Sequence, residues 1–505
     1  MTQGALPFKY EEEVKESGMT ALGGLPVYLD LAMVMGLGAS IEKHVHVKER
    51  GWTDKQLVLS LILLNLAGGD CVGDLTRLAG DDAFCKVLHR IEQKGMTRRE
   101  RREQARRWRK EGGRGIASPS AVFRYLAAFH DSEQEKERVE GKAFIPVANE
   151  HLRGLKAVNR DAVAFIQAHH PQRIATLDMD ATLVETSKRD ALYSYKGYKA
   201  YQPLNTWWAE QSIISYTEFR DGNVPAGYEQ LRVFKEALKE LPAGVEEVRL
   251  RSDTAGYQHE LLRYCEKGGD ERFGRIEFAI GCDVTAEFKK AVREVEEKDW
   301  QTIYKNFDGH RIKTNQEWAE VCFIPSAIGR SKHAPVYRYL AIREAMSSEI
   351  PGLELPEPSL PFPTFEIRSQ RYKLFGVVTN LDWEGEELIH WHRGRCGKSE
   401  EAHAVMKEDF AGGKLPSEDF GENAAWWWIM MLALNLNSAM KQFALEPSWM
   451  SKRMKALRFS MINIPGRIVE HSRELIIRLV KNNPAVNLLI EARRRIMALS
   501  NVPSG

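Results

Sequence analysis

Between residues 172 and 281 the chain alternates short apolar runs with helical stretches, and this pattern restricts the fold more than any other feature. Arg173-Ile174-Ala175-Thr176-Leu177-Asp178-Met179-Asp180-Ala181-Thr182-Leu183-Val184 reads as a strand running into a polar end. Val245-Glu246-Glu247-Val248-Arg249-Leu250-Arg251-Ser252-Asp253 reads as a second strand that ends in a carboxylate, and Arg275-Ile276-Glu277-Phe278-Ala279-Ile280-Gly281 as a third. Residues 228–241 and 257–267, which lie between them, have helical spacing. Strands alternating with helices predict an α/β domain.

At 505 residues the chain is too long for one core, and roughly three domains are expected. Residues 1–165 read as a helical N-terminal region, because leucines 57, 59, 61, 63 and 64 are too dense for a strand with one buried face. Residues 170–299 form the first part of the α/β core. Residues 300–384, with β-rich pieces such as Leu374-Phe375-Gly376-Val377-Val378-Thr379-Asn380 and a Pro-dense stretch between them, read as a β-rich insertion. The core resumes over 385–447, and 448–505 reads as a helical, basic C-terminal region.

Composition excludes little. Lys and Arg number 72 against 70 Asp and Glu, so the net charge of +2 names no partner, and any affinity for nucleic acid must come from local placement. The six cysteines form no C-x-x-C pair, which argues against a disulfide framework and a zinc ribbon and fits a reducing cytosol. Four glutamates at 11, 12, 13 and 16 stand where a leader would need an apolar run. The uncharged stretch from Asn423 to Met440 is broken by Asn435, Asn437 and Ser438, so it reads as a helix inside a large core and not as a membrane span.

One charge run is local. Residues 98–114 carry nine basic and three acidic groups inside a basic arm spanning 97–115. Arg98, Arg99, Arg101, Arg102, Arg106, Arg107 and Arg109 could be a solvated helix face, or they could bind phosphates. Ser118-Pro119-Ser120-Ala121-Val122-Phe123-Arg124 follows, with a capping Ser and Arg124 on an amphipathic helix suited to DNA docking.

Three acidic positions could carry chemistry. Asp178 and Asp180 are two apart on a strand and project from the same face. Such a pair needs a positive partner, and Mg²⁺ favours one or two carboxylates with water and substrate phosphate. The plain alternative is one capping and one solvated aspartate. Asp253 ends the second strand and could equally be an N-cap for Thr254-Ala255-Gly256. In Gly397-Lys398-Ser399-Glu400 the glutamate lies seven residues before Lys407, two turns along one helical face, although Glu400 could serve only the helix dipole. Gly394-Arg395-Cys396-Gly397-Lys398-Ser399 is no phosphate-binding loop, since two residues separate its glycines where four are needed. No G-x-S-x-G occurs for a serine nucleophile.

Taken in order, Leu177-Asp178-Met179-Asp180-Ala181-Thr182, Leu250-Arg251-Ser252-Asp253, Gly397-Lys398-Ser399-Glu400 with Lys407, and the downstream Leu415-Pro416-Ser417, Asn423-Ala424-Ala425 and Leu434-Asn435-Leu436 resemble a DDE transposase of bacterial insertion sequences. The similarity spans about residues 20 to 480, and the branch is the one named after insertion sequence 1380. The resemblance implies an RNase H-like α/β catalytic domain with a β-rich insertion, flanked by helical regions. It places the family's first Asp on Asp180, matching D-x-T, with Asp178 the competitor, the second Asp on Asp253 and the Glu on Glu400. In the family's Y-x2-R-x3-E-x6-K signature Glu400 and Lys407 fit, whereas Arg393 stands at the Tyr position and Cys396 at the Arg position, with Arg395 one residue early.

By implication, Asp180, Asp253 and Glu400, with Asp178 nearby, hold two Mg²⁺ ions that Mn²⁺ can replace. The activity implied is nicking at the element's terminal inverted repeats and attack of the freed 3′-OH on target DNA. Lys407, Arg393 and Arg395 would grip phosphates, and the basic arm with Arg124 would bind the repeats. The implied assembly is a homodimer on paired ends, with no membrane partner, in a bacterial cytoplasm at the nucleoid. A catalytically silent relative that only occupies DNA ends is the alternative, and a glycoside hydrolase with paired carboxylates is a more distant one.

Overall fold

The computed structural model describes residues 18–94, 96–110, 115–139, 141–326, 336–346, 362–367, 370–395, 402–472 and 474–500. The chain divides into two compact units. One comprises Met1–Lys136, Val147–Ala162 and Val405–Gly505, and the other Glu137–Pro146 and Val163–Ala404. In chain order the strands are β1 (Met19–Thr20), β2 (Ile174–Ala181), β3 (Val184–Glu185), β4 (Leu192–Tyr193), β5 (Lys199–Tyr201), β6 (Leu204–Trp208), β7 (Ile213–Glu218), β8 (Glu247–Ser252) and β9 (Glu277–Cys282). They continue with β10 (Gln301–Phe307), β11 (His310–Val321), β12 (Arg338–Ala345), β13 (Thr364–Ile367), β14 (Gln370–Thr379), β15 (Gly466–His471) and β16 (Glu474–Leu479).

The first unit is mainly helical. Its centre is the helix Phe420–Ala439, in which every residue is buried. It is buried on every face, and among the described residues no single helix is long and apolar enough to cross a membrane. Its polar side chains are answered internally: Asn435 Nδ2 donates to Asn159 Oδ1 at 2.8 Å, and the Tyr28 hydroxyl donates to Asn437 Oδ1 at 2.8 Å. The leucine-rich helix Asp54–Ala67 packs against it and opens on a capping box between Thr53 and Gln56. The basic run folds as the helix Arg98–Lys110, started by Thr97 and Glu100, whose side chains each accept from the other's backbone N–H. The tail is not helical throughout, as its composition suggested. The β-branched residues Ile468, Val469, Ile476 and Ile477 build a β15–β16 hairpin that pairs with β1, and helix returns at Ala485–Leu499.

The second unit is built on a ten-stranded sheet of order β10-β11-β12-β14-β9-β8-β2-β6-β7, with β13 paired to β14. The strands β2, β8 and β9 are parallel neighbours, and the remaining pairs in this sheet are antiparallel. The β-rich stretch 300–384 is therefore continuous with the sheet that carries the aspartates, not a separate body. Its last strand pairs with β9, as in Val378 opposite Ile280, and so removes an edge that β9 would otherwise present. One apolar cluster joins the two stretches, with Ala279 of β9, Trp318, Leu340 and Val377 packed together with Leu388 and Ile389. The last two belong to the helix Gly385–Arg393, capped at its start by Glu384. Burying that face fixes where the residues after it emerge.

Candidate active site

The parallel pairing of β2 with β8 ends with Met179 opposite Ser252, so the next residues, Asp180 and Asp253, leave the C-terminal ends of adjacent strands side by side. Adjacent strands lie roughly 4.8 Å apart, and in open α/β sheets this end of the strands is where ligands bind. The loop carrying Asp253 lies flat against β9. A Cβ at Gly281 would stand 3.3 Å from the Asp253 carbonyl carbon and 3.2 Å from the Thr254 nitrogen, so only glycine leaves that approach relaxed. Asp253 does cap the short turn Thr254–Gly256, accepting from the Ala255 N–H at 3.0 Å. Capping and a site role coexist, because one carboxylate has several lone pairs.

The two aspartates of β2 have different surroundings. Asp178 is opposite Arg251 in the ladder, is 1 % exposed, and receives a two-point contact from that guanidinium, Nε to Oδ1 at 2.6 Å and Nη2 to Oδ2 at 2.8 Å. Arg251 also donates to the Trp391 carbonyl at 2.6 Å and lies 5.1 Å from that indole ring. Asp180, one pleat further out, is partly exposed, with Arg395 Nη1 at 3.4 Å and His403 Nδ1 at 3.9 Å from its Oδ2. Across the sheet Asp180 faces Asn205 of β6, which in turn faces Thr217 of β7. Thr217 Oγ1 donates to Asn205 Oδ1 at 2.7 Å, and Asn205 Nδ2 lies 3.4 Å from His403 Nε2. An amide nitrogen only donates, so His403 accepts at Nε2 and carries its proton on Nδ1, the atom nearer Asp180.

Burial, and then the charge of Asp180, push the Asp253 carboxyl above its ordinary range, while Arg395 and the Ala255 N–H pull it back. Below the pair, buried His392 donates from Nε2 to the Ser252 carbonyl at 3.0 Å. Burial holds its ring down to about 4, and Arg395, Arg251 and Arg393 disfavour a second proton. It is a neutral prop under the strand that ends at Asp253.

Of the other residues marked in the sequence, Arg395 is nearly buried beside Asp180 and Arg393 is half-buried at the end of its helix. Glu400 falls in 396–401 and lies outside the described residues. Lys407 belongs to the first unit and sits in a π-helical turn, Val405–Asp409, so the even α-helical spacing assumed from Glu400 does not continue through it. Arg98, Arg99, Arg101, Arg102, Arg106 and Arg124 are exposed on their helices, and the side chains of Arg107 and Arg109 lie outside the description. The sequence reading passed over His403 and Asn205. Asn205 becomes legible only once β6 is paired with β2. Chemically, Asp180 and Asp253 are two hard oxygen donors whose mutual repulsion a divalent cation would relieve. Among the described residues no group of three His, Cys, Asp or Glu is close enough to hold a metal ion.

The chain matches the family described as Transposase DDE domain group 1 over residues 13–322 and 365–501, and it belongs to that family. No curated protein matches it in sequence. Among solved structures it is similar to a piggyBac transposase synaptic complex with hairpin DNA, determined by cryo-electron microscopy. The identity is 9% and the TM-score 0.40, over 95% of this chain and 82% of that one.

Proposed function

We propose that this transposase is a metal-dependent DNA-cleaving and strand-transferring enzyme of an insertion sequence, of the branch named after insertion sequence 1380, with Asp180, Asp253 and Glu400 as its catalytic acids. The observation that carries the reading is the emergence of Asp180 and Asp253 side by side from adjacent parallel strands, with the Asp253 carboxyl raised by burial and then by its neighbour. The parallel β2-β8-β9 core flanked by antiparallel β6 and β7 supports an RNase H-like reading of the domain. Asp180 is the first acid in this reading and Asp178 is not, because Asp178 is already neutralised by Arg251.

Asp180, Asp253 and Glu400 are the residues that would hold Mg²⁺, which when bound neutralises charge at the scissile phosphate and makes water a stronger nucleophile. Arg395 contributes fixed positive charge where the phosphate would sit, with Arg393 beside it at the end of the helix. His403, which Asn205 contacts from β6, stands 3.9 Å from the Asp180 carboxylate and lines the same site. Both reactions, hydrolysis at the element end and attack of the 3′-OH on target DNA, are phosphoryl transfers that need positioning and charge neutralisation without a covalent enzyme intermediate. The exposed arginines of Arg98–Lys110, and Arg124, bind the terminal repeats, Lys407 contacts phosphate, and two copies hold two ends.

The test is incubation of the chain with DNA carrying its element's end, in Mg²⁺ or in EDTA. The wild type should nick at the end only with Mg²⁺, and Asp253→Ala and Glu400→Ala should bind without cutting. Mg²⁺ alone should raise the wild-type melting temperature and leave that of Asp253→Ala unmoved. Normal cleavage by either variant removes that residue from the site, and binding by the wild type without cleavage in Mg²⁺ replaces the reading with that of a silent end-binding relative.

A further inference from the structure

Between the end of β2 and the start of β6 the chain makes an excursion, the three-stranded sheet β3-β5-β4. Its neck is closed by the Thr182 N–H donating to the Pro203 carbonyl at 3.0 Å, next to the last β2–β6 pair, Ala181 with Leu204. The excursion therefore starts two residues after Asp180. Its base is packed tightly: a Cβ at Gly222 would meet the Ala200 carbonyl oxygen at 2.4 Å and that of Leu192 at 2.8 Å. Its outer end is the β4–β5 hairpin, closed by the Ser194 N–H donating to the Tyr198 carbonyl at 2.8 Å, with Gly197 at φ +81° in the turn.

Two aromatic rings stand out from this hairpin. Tyr193, the last residue of β4, is 65% exposed and Tyr195, in the turn that follows, is 76% exposed, whereas Ser194 between them is buried. Each has a lysine beside it: Lys199 Nζ is 6.0 Å from the Tyr193 ring centre and Lys196 Nζ 5.9 Å from that of Tyr195. Residues 187–199 carry Lys188, Arg189, Lys196 and Lys199 against one acid, Asp190, to which Arg189 is paired. A single exposed tyrosine needs no explanation. Two exposed rings within three residues, each beside an ammonium, on a braced hairpin leading out of the strand that bears Asp180, combine stacking surface with phosphate-binding charge.

We propose that the β4–β5 hairpin is a platform for unpaired DNA at the cleaved end, on which bases stack against Tyr193 and Tyr195 while Lys196 and Lys199 contact the backbone. The strand must be unpaired because a duplex hides its base faces inside the stack, whereas a frayed strand offers them to aromatic side chains. The proposal rests on the DNA-cleaving reading above and adds to it a named contact for the strand beside the scissile bond.

The test uses the full chain in EDTA, so that nothing is cut, with two probes of one sequence: a blunt duplex and a forked duplex bearing 2-aminopurine in its unpaired tail. Wild type should bind the forked probe more tightly and quench its fluorescence. Tyr193→Ala/Tyr195→Ala should lose at least about tenfold in affinity for the forked probe, as removal of a stacking ring does, with blunt-duplex affinity unchanged. Tyr193→Phe/Tyr195→Phe keeps both rings and should bind like wild type. The proposal is overturned if the alanine variant binds the forked probe like wild type, or if it loses equally on both probes. It is overturned together with the DNA-cleaving reading if wild type binds neither probe. Wild-type binding to the blunt duplex without preference for the tail overturns the platform alone.

Discussion

Asp178 and Asp180 are the same side chain on the same face of one strand, and their surroundings give them different work. Asp178 is enclosed with Arg251 in a two-point ion pair, a pair whose breaking leaves an uncompensated buried charge. Asp178→Asn should therefore destabilise the chain by about 3–5 kcal/mol in urea melts. Asp180→Asn should cost about 1 kcal/mol or less, because removing that charge also relieves Asp253. The reverse order of losses would mean that the structural and the site aspartate have been exchanged. His392 permits a second prediction with a definite sign. Its folded ring titrates at about 4 where the free ring titrates at 6.5, so between those values the unfolded chain binds more protons. Stability is whole above pH 6.5 and falls as the pH drops toward 4, by roughly 3 kcal/mol from this group. Comparing melts of wild type and His392→Gln at pH 7 and 4.5 isolates that contribution. Equal pH slopes in the two proteins would show that His392 is not held neutral.

At the scale of elements, the sequence made β2, β8 and β9 legible because each is a short run with apolar or alternating residues, bounded by polar turns and followed by chain that leaves the sheet. Their parallel order then sets Asp180 beside Asp253, which no spacing in the sequence states. The stretch 300–384 was readable as strands but not as part of this sheet. Period-two alternation tells a strand which face to bury, yet Val378 and Ile280 meet across nearly a hundred residues with no local signal of the pairing. The β15–β16 hairpin was obscured by its basic residues, although its β-branched side chains were visible, and Ser472 turns at φ 51° between the strands. His403 could not be picked out from its own neighbourhood, since its partner Asn205 comes from a strand 198 residues away. The Phe420–Ala439 helix was the most legible element, because the run from Asn423 is uncharged and broken only by small polar residues, which fits a helix inside a large core. Trp427 in it is wholly buried. Trp427→Ala should cost about 3–5 kcal/mol, read as a lower midpoint in thermal unfolding, and a change below about 1 kcal/mol would mean that this helix is not the centre of its unit.

For the whole molecule, the near balance of 72 basic and 70 acidic residues decides where the proposed DNA affinity would originate. A net charge of +2 gives no long-range field able to hold a polyanion, so binding has to come from places where positive charge is concentrated and exposed. The helix Arg98–Lys110 is such a place. Arg98, Arg99, Arg101 and Arg102 are exposed in its first turns, and among the described residues Arg99 has a carboxylate, Glu103, at 3.1 Å. The helix is tied down through Gln104, whose Nε2 donates to Glu92 at 2.7 Å, so its arginines are displayed on a fixed support. Each arginine that neutralises a phosphate releases condensed counterion, and the logarithm of affinity falls with the logarithm of salt by about 0.9 per contact. Replacing these four arginines by glutamine should therefore flatten the salt dependence of duplex binding by up to about 3–4 in slope. Cleavage of DNA already bound at low salt should persist, because none of the four belongs to the proposed catalytic acids. The measurement is fluorescence anisotropy across a salt series with wild type and the quadruple variant. An unchanged slope would move the phosphate contacts off this helix, and with so small a net charge they would then have to be sought at another local cluster, Arg124 first.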